Sequence, residues 1–336
     1  MKINFEHKQA AHCENGVTTS LLQFNGINKI TEPLAFGIGA GLFFVHLPFV
    51  KINNGPAIAF RSMPGLIFKG TCKALGIPIE RKKFSSKENA EKILLERLEA
   101  GQPVGCQVGV YYLTYFPKEY RFHFNAHNLI VYGKEGDDYL VSDPIMETAT
   151  KLTSYELERV RFAKGALAPR GQIYYPGKAP EITDEQIAVA IKKGIRKNIF
   201  YMLKIPGNVV GVKSIANTGK KIKKWREKLG QKTAGLYLAQ LVRMQEEIGT
   251  GGGGFRYIYA AFLQEAYAFV PKPELLEISK MFTQSGDLWR TAAVQAAGIY
   301  KGRIGTQHDF DQMGDYLIEI AGVEKKAFKA LANIKW

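Results

Sequence analysis

In the first half of the chain, apolar positions alternate between helical and strand spacing. Val17, Leu21, Leu22 and Phe24 recur at helical period, predicting a helix from Glu14 to a stop at Gly26. A long apolar stretch, Leu34 to Val50, follows, interrupted by Gly37, Gly39, Gly41, His46 and Pro48. A second helix is predicted from Gly65 to Leu75, ending at Gly76. Ser85-Ser86-Lys87-Glu88 reads as a capping box, since a serine hydroxyl can accept from an orphan amide while the glutamate reaches back. The helix it opens carries Ile93, Leu94, Leu95 and Leu98 and runs to Ala100, with Gly101 as its stop. Three strands are then expected, Val104–Leu113, Phe122–Tyr132 and Asp138–Val141, the last two joined at a Gly136-Asp137 turn. Helices followed by antiparallel strands predict an α+β domain over residues 1–175.

Tyr175-Pro176-Gly177-Lys178-Ala179-Pro180 reads as a linker, and Thr183-Asp184-Glu185-Gln186 as a second capping box. Beyond it the spacing is helical. Ile187, Ile191, Ile195 and Ile199 share one face, and Trp225, Leu241, Phe262, Trp289, Leu317 and Leu331 mark further helices. An all-helical domain is expected over 181–336. No fixed-period repeat is present.

A chain of 336 residues with 46% hydrophobic and 23% charged residues has a globular composition. No uninterrupted apolar run reaches membrane-spanning length, and Met1–His7 lacks the charged head and apolar core of a secretory signal. Three cysteines, Cys13, Cys72 and Cys106, make no disulfide framework and fit a reducing compartment, so a cytoplasmic location is expected. Neither cysteine nor histidine spacing suggests zinc, and no metal is expected. The net charge of +15 is compatible with an acidic protein, an anionic membrane or nucleic acid. No nucleic-acid reader motif is present, so nucleic acid is not the expected partner. Lys192-Lys193, Arg196-Lys197 and Lys220–Arg226 are basic clusters that read either as a docking face or as solvated helix surface.

The chemistry-bearing pattern is Cys13, His127 and Asp143, in that order. The cysteine opens the first helix, where the helix dipole favours thiolate. The histidine and aspartate lie on consecutive strands joined by a short turn, so they can be neighbours without long-range assumptions. Thiol, imidazole and carboxylate are the parts of an activated nucleophile. Cys72 and Cys106 read as small buried apolar residues. His12 is the weaker base, because adjacent side chains on a helix point apart. His123 would share a strand face with Asn125 and His127 and line the same cleft. Gln9 and Asn15 are candidate oxyanion donors. Gly249-Thr250-Gly251-Gly252-Gly253-Gly254 reads either as a backbone anion site or as a flexible helix entry. It lacks the ending of a nucleotide P-loop. Arg256 pairs with Glu265 or with substrate.

His127-Asn128-Leu129-Ile130-Val131-Tyr132-Gly133 and Val141-Ser142-Asp143-Pro144 resemble the double-glycine-cleaving cysteine peptidases, which have a papain-like fold. Those peptidases carry a glutamine about six residues before the cysteine and a glycine after it. Here Gln9 stands closer and Glu14 follows. Over nearly its full length the chain resembles the butirosin side-chain acyltransferase family. The resemblance rests on His12-Cys13, on Glu32-Pro33-Leu34-Ala35-Phe36-Gly37-Ile38-Gly39-Ala40-Gly41, on Gly251–Arg256 and on Phe262-Leu263-Gln264-Glu265-Ala266. It implies a papain-like N-terminal domain and a helical second domain that supplies an acyl pocket or carrier docking. It also implies transfer of an acyl group from an acidic acyl carrier protein to an amine or hydroxyl of a small molecule or lipid. No cofactor of the enzyme's own is implied, since the phosphopantetheine arm arrives on the donor. Glu32 enters the site set through this motif. A peptidase or amidase and a non-enzymatic basic adaptor are the competing readings.

Overall fold

The computed structural model describes residues 1–52 and 55–336. In chain order its elements are α1 (Cys13–Phe24), α2 (Glu32–Ile38), β1 (Leu42–Ile52), β2 (Gly55–Arg61), α3 (Leu66–Ala74), β3 (Ile79–Lys82), α4 (Lys87–Glu99), β4 (Val104–Val108), β5 (His127–Glu135), β6 (Asp138–Ser142), β7 (Thr150–Thr153), α5 (Ser154–Arg161), β8 (Ile173–Pro176) and α6 (Asp184–Ile199). The rest is helical: α7 (Gly211–Ile222), α8 (Trp225–Val242), α9 (Arg256–Phe269), α10 (Glu274–Tyr300) and α11 (Gln307–Asn333). No helix among the described residues is long and apolar enough to cross a membrane.

Two compact units emerge, and both are discontinuous in sequence. The first takes Met1–Ala35 and Ile67–Thr183, the second Phe36–Leu66 and Asp184–Trp336. The expected division, 1–175 and 181–336, therefore misplaces residues 36–66. That segment folds as the β1–β2 hairpin and joins the helical unit, with β1 running beside α7 and bridging Val45 to Val210. Glycine and proline breaks in Leu34–Val50 obscured the strand, and Phe44 with Phe60 buries against Trp289 of α10.

In the first unit an antiparallel six-stranded sheet has the order β3-β8-β4-β5-β6-β7. Alternation along β5 divides its side chains between two layers. Leu129 and Val131 join Leu94 and Leu98 of α4, Val104 and Val108 of β4 and Val141 of β6 in a buried core. Asn128, on the alternate face, turns to α1, where its amide meets Cys13. Helix α4 begins one residue later than its box predicts, since the Ser86 hydroxyl takes the Asn89 amide. Strand β4 stops at Val108 because Val110–Tyr112 forms a 3-10 turn. Strand β5 starts at His127 rather than Phe122, so His123 lies outside the sheet. Tyr175 and Pro176, read as linker, close β8 on the partner strand β3.

In the second unit α7 and α10 pack on α11, and α9 packs on α10. Its core holds a charged network. Arg256 donates to both oxygens of Glu324, at 2.8 and 3.0 Å. Ser285 and Trp289 donate to the same carboxylate. All four side chains are fully buried.

Candidate active site

Helix α1 begins at Cys13 because His12 ends the extended segment before it. His12 has extended φ and ψ of −135° and 132°, and its Nδ1 accepts the Asn15 amide at 3.3 Å as an N-cap. Glu32 fixes the same segment, its two oxygens taking the Ala11 and His12 amides at 3.0 and 2.8 Å. Glu14, fully buried, accepts from the Ile67 and Phe68 amides at 2.9 and 3.2 Å. A buried carboxylate costs several kcal/mol in desolvation. Charge-assisted bonds to the first turn of α3, with its dipole, offset that cost. The glutamate after the cysteine thus anchors α1 to α3.

The other end of the α1 entry is tied to the aspartate loop. Ala10 donates its amide to the Pro144 carbonyl at 2.7 Å. A Cβ at Gly16 would sit 2.5 Å from the Pro144 ring and 2.7 Å from the Ala10 Cβ, so α1 reaches this position only with glycine. Gly16→Ala is expected to cost about 1–3 kcal/mol by overpacking. It should also slow alkylation of Cys13 by iodoacetamide. An unchanged unfolding midpoint and alkylation rate would show that the contact is dispensable.

Because β5 and β6 are antiparallel, the start of one lies beside the end of the other. His127 opens β5 and Asp143 follows β6 directly. The His127 Nε2 lies 2.6 Å from the Asp143 Oδ2, which leaves Nδ1 for the thiol. The carboxylate has two further donors, the Tyr115 hydroxyl at 2.7 Å and the Ile145 amide at 3.1 Å. The Phe116 ring meets the imidazole edge-on at 5.5 Å. Cys13, His127 and Asp143 are 6%, 5% and 0% exposed, so the charges they carry are weakly screened by water.

Burial alone raises the Cys13 thiol, but His12 and then His127, each by charge and hydrogen bond, outweigh it and hold the thiol well below its usual range. Burial likewise lowers His127, and Asp143 and Cys13 overcome it, raising the imidazole to about 10. Both directions favour a thiolate–imidazolium pair at rest. Burial raises Cys72 to about 12 and Cys106 to about 11. Sign follows from these directions. A depressed thiol stays ionised as pH falls below the usual value near 8.5, and its thiolate is lost only on protonation at lower pH. Alkylation of the folded protein at pH 7 should modify Cys13 alone and at an undiminished rate. Equal labelling of Cys72 or Cys106, or a rate falling off below about pH 8.5 as for a free thiol, would contradict the ion pair.

His12 is the residue that sequence reasoning underrated. The argument that adjacent side chains diverge holds within a helix, but His12 precedes the helix in extended conformation and its ring folds back over the first turn. Asn128 was also missed. Its Nδ2 lies 3.8 Å from the Cys13 Sγ while its Oδ1 accepts from the Tyr174 hydroxyl at 2.8 Å. A polar amide inside an apolar strand, next to His127, was the available signal. Tyr115, in a tyrosine-rich loop, had none.

The remaining candidates do not gather at the thiol. Gln9 is exposed on the approach to α1. Asn15 is fully buried, and neither polar atom of its side chain has a partner among the described residues. It stands two positions past Cys13, and residues so spaced do not share a helix face. His123 is exposed and stacks on Tyr111 at 4.1 Å. Glu32 positions backbone, as described. Arg256 lies in the core of the second unit with Glu324 as its partner, in place of Glu265 or a ligand. The glycine run has left-handed φ at every glycine and supplies its own acceptors: the Gly252 amide goes to Thr250 and the Gly253 amide to the Glu246 carboxylate. Gly254 lets the backbone approach Phe60, where a Cβ would be 2.5 Å from the ring.

A cysteine opening a helix, laid against an antiparallel sheet that offers histidine and aspartate at one end, is the arrangement of papain-like thiol enzymes. Comparison with known proteins gives the family. Residues 12–144 match the family model described as butirosin biosynthesis protein H, N-terminal. Residues 155–331 match a domain of unknown function, DUF4872. No curated protein matches the chain. A solved structure from Bacillus anthracis, described as a C39-like peptidase, aligns at 16% identity and a TM-score of 0.37, over 54% of this chain and 100% of that one. The second family match takes in more than half of the sequence, and the chain belongs to the DUF4872 family, with a butirosin biosynthesis protein H-type N-terminal domain ahead of it.

Proposed function

We propose that this papain-like cysteine enzyme is an acyltransferase that takes an acyl group from an acyl carrier protein thioester and gives it to an amine or hydroxyl. The observation that carries the reading is the buried constellation of Cys13, His127 and Asp143, in which the thiol is held low and the imidazole high, nearly withdrawn from water. A thioester needs no protonation to be attacked, and exclusion of water protects the acyl-enzyme from hydrolysis.

The steps balance on the side chains present. The Cys13 thiolate adds to the thioester carbonyl, and the tetrahedral adduct collapses with cleavage of the donor C–S bond. His127 gives its proton to the departing pantetheine thiol and becomes neutral. Neutral His127 then accepts a proton from the acceptor amine or hydroxyl as that atom attacks the acyl-enzyme. Collapse releases Cys13 as thiolate and restores the resting pair. Asp143 holds the imidazole through Nε2 in both steps, and Tyr115 holds Asp143. The acyl-enzyme is itself a thioester, so acylation is nearly balanced in energy and the activation is kept for the second step. An acidic carrier suits the +15 chain electrostatically. The acceptor is a small molecule or a lipid.

Product analysis with a carrier thioester, with and without an amine acceptor, tests the assignment. Acylated acceptor as the main product, with slow release of free acid when the acceptor is withheld, is expected. Free acid at the same rate in both, or cleavage of peptides in place of thioesters, would make water the acceptor and the protein a hydrolase.

A further inference from the structure

The charge of the chain is concentrated in one stretch. Thirteen Lys and Arg residues against three Asp and Glu lie between Asp184 and Lys232, covering α6, α7 and the start of α8. Helix α7 shows how they are displayed. Val212, Ile215 and Ile222 are buried, while Lys213 and Lys220 are exposed on the opposite side, in line with the half-buried Asn217. Arg196, Lys197 and Lys204, also exposed, surround Phe200, which is 51% exposed.

Strand β1 runs beside this helix and ends in an unusual way. His46 Nδ1 lies 2.9 Å from the Thr218 hydroxyl of α7. Burial first, then the charges of Lys221 and Lys51, hold the His46 imidazole down to about 4, which places lysines of both α7 and the hairpin around one residue. Beyond Leu47 the ladder slips: Leu47 pairs with Ala57 and Lys51 with Pro56, so Pro48, Phe49 and Val50 bulge from the strand. Bulges re-aim side chains. Here the bulge turns Phe49 and Val50 to solvent, 74% and 38% exposed, and Ile52 just beyond it is 43% exposed. Lys51 lies over the Tyr237 ring at 4.4 Å, a long stem along apolar surface with its charge at the end.

We propose that the second unit docks on an anionic lipid membrane through the apolar bulge of β1 and the exposed basic residues of α6 and α7. The bulge enters the acyl boundary while the basic residues meet the headgroups. Charge alone would equally suit an acidic protein or a nucleic acid. The exposed aliphatic residues at this end of β1 decide between them. Val50 and Ile52 have no π-face for a base to stack on, and an aromatic–aliphatic tip flanked by lysine is the composition of an interfacial anchor. The inference rests on the surface of the second unit and does not depend on the chemistry proposed at Cys13.

Co-sedimentation of the full chain with vesicles tests it. One vesicle set is phosphatidylcholine, the other equal parts of phosphatidylcholine and phosphatidylglycerol. Binding only to the anionic set, weakened by salt, is expected. Phe49→Ser with Val50→Ser should lower the partition coefficient about tenfold or more through lost apolar insertion. Lys213→Glu with Lys220→Glu should lower it about tenfold or more through lost headgroup attraction. All four sites are exposed, and an unchanged thermal midpoint certifies each variant as folded. No binding to anionic vesicles by the folded wild type overturns the proposal. So does binding that the Phe49/Val50 variant retains in full, which would be charge adsorption of the kind an acidic protein or nucleic acid would share.

Discussion

His127→Ala is expected to slow acylation of Cys13 by about four orders of magnitude, with the fold retained. Two losses combine. The thiolate loses one of the two cations that offset its burial, and the departing thiol loses its proton donor. Asp143→Asn should cost less, about two to three orders of magnitude, since the carboxylate orients and stabilises the imidazole without touching the acyl group. Tyr115→Phe should cost least, removing one of three donors to that carboxylate. Single-turnover acylation rates across these variants give the order directly. A larger effect at Asp143 than at His127 would assign the aspartate a chemical role of its own. His12→Ala belongs in the same series: a fall in acylation rate with the acid limb of the pH profile moved upward is expected, because the thiol loses the first of the two groups that lower it.

Glu324→Ala is expected to destabilise the second unit by about 3–5 kcal/mol. Arg256 would remain fully buried with no counter-charge, and the Ser285 and Trp289 donors would lose their acceptor. The effect separates a buried ion pair from a surface one, which contributes about 0–1 kcal/mol. Replacing both partners, as Arg256→Met with Glu324→Leu, should cost less than either single truncation, because no charge is stranded. Denaturant midpoints for the two single variants and the double variant close the cycle. A single-variant cost below about 1 kcal/mol would remove the network from its place as the organiser of that core.

The parts legible in the sequence were those written in local pattern. Helical spacing located α1, α3 and α4 to within a residue or two, and the Gly136 turn, with its φ of 60°, placed β5 against β6. That hairpin is why His127 and Asp143 could be paired from sequence. Cys13 could be joined to them only as a pattern of types, because the α1–sheet contact depends on Glu14, Gly16 and Glu32, whose roles appear only when α3, Pro144 and the residues before α1 are in place. Strand β1 was illegible for a different reason: its burial alternates only over Leu42–Leu47 and its far end is bulged and exposed, although Asn54-Gly55 in the sequence is a short-range hairpin signal. Arg256 misled because a charged residue after a glycine run reads as a ligand group. Its partner, Glu324, lies on a helix far along the chain.

The most direct measurement is the intact mass of the protein after mixing with a panel of acyl carrier thioesters, wild type beside Cys13→Ala. The account predicts a mass increase equal to one acyl group in the wild type and none in the variant. An adduct that persists in Cys13→Ala, or a wild type that stays unmodified by every thioester while its thiol still alkylates, would contradict an acyl-enzyme at Cys13.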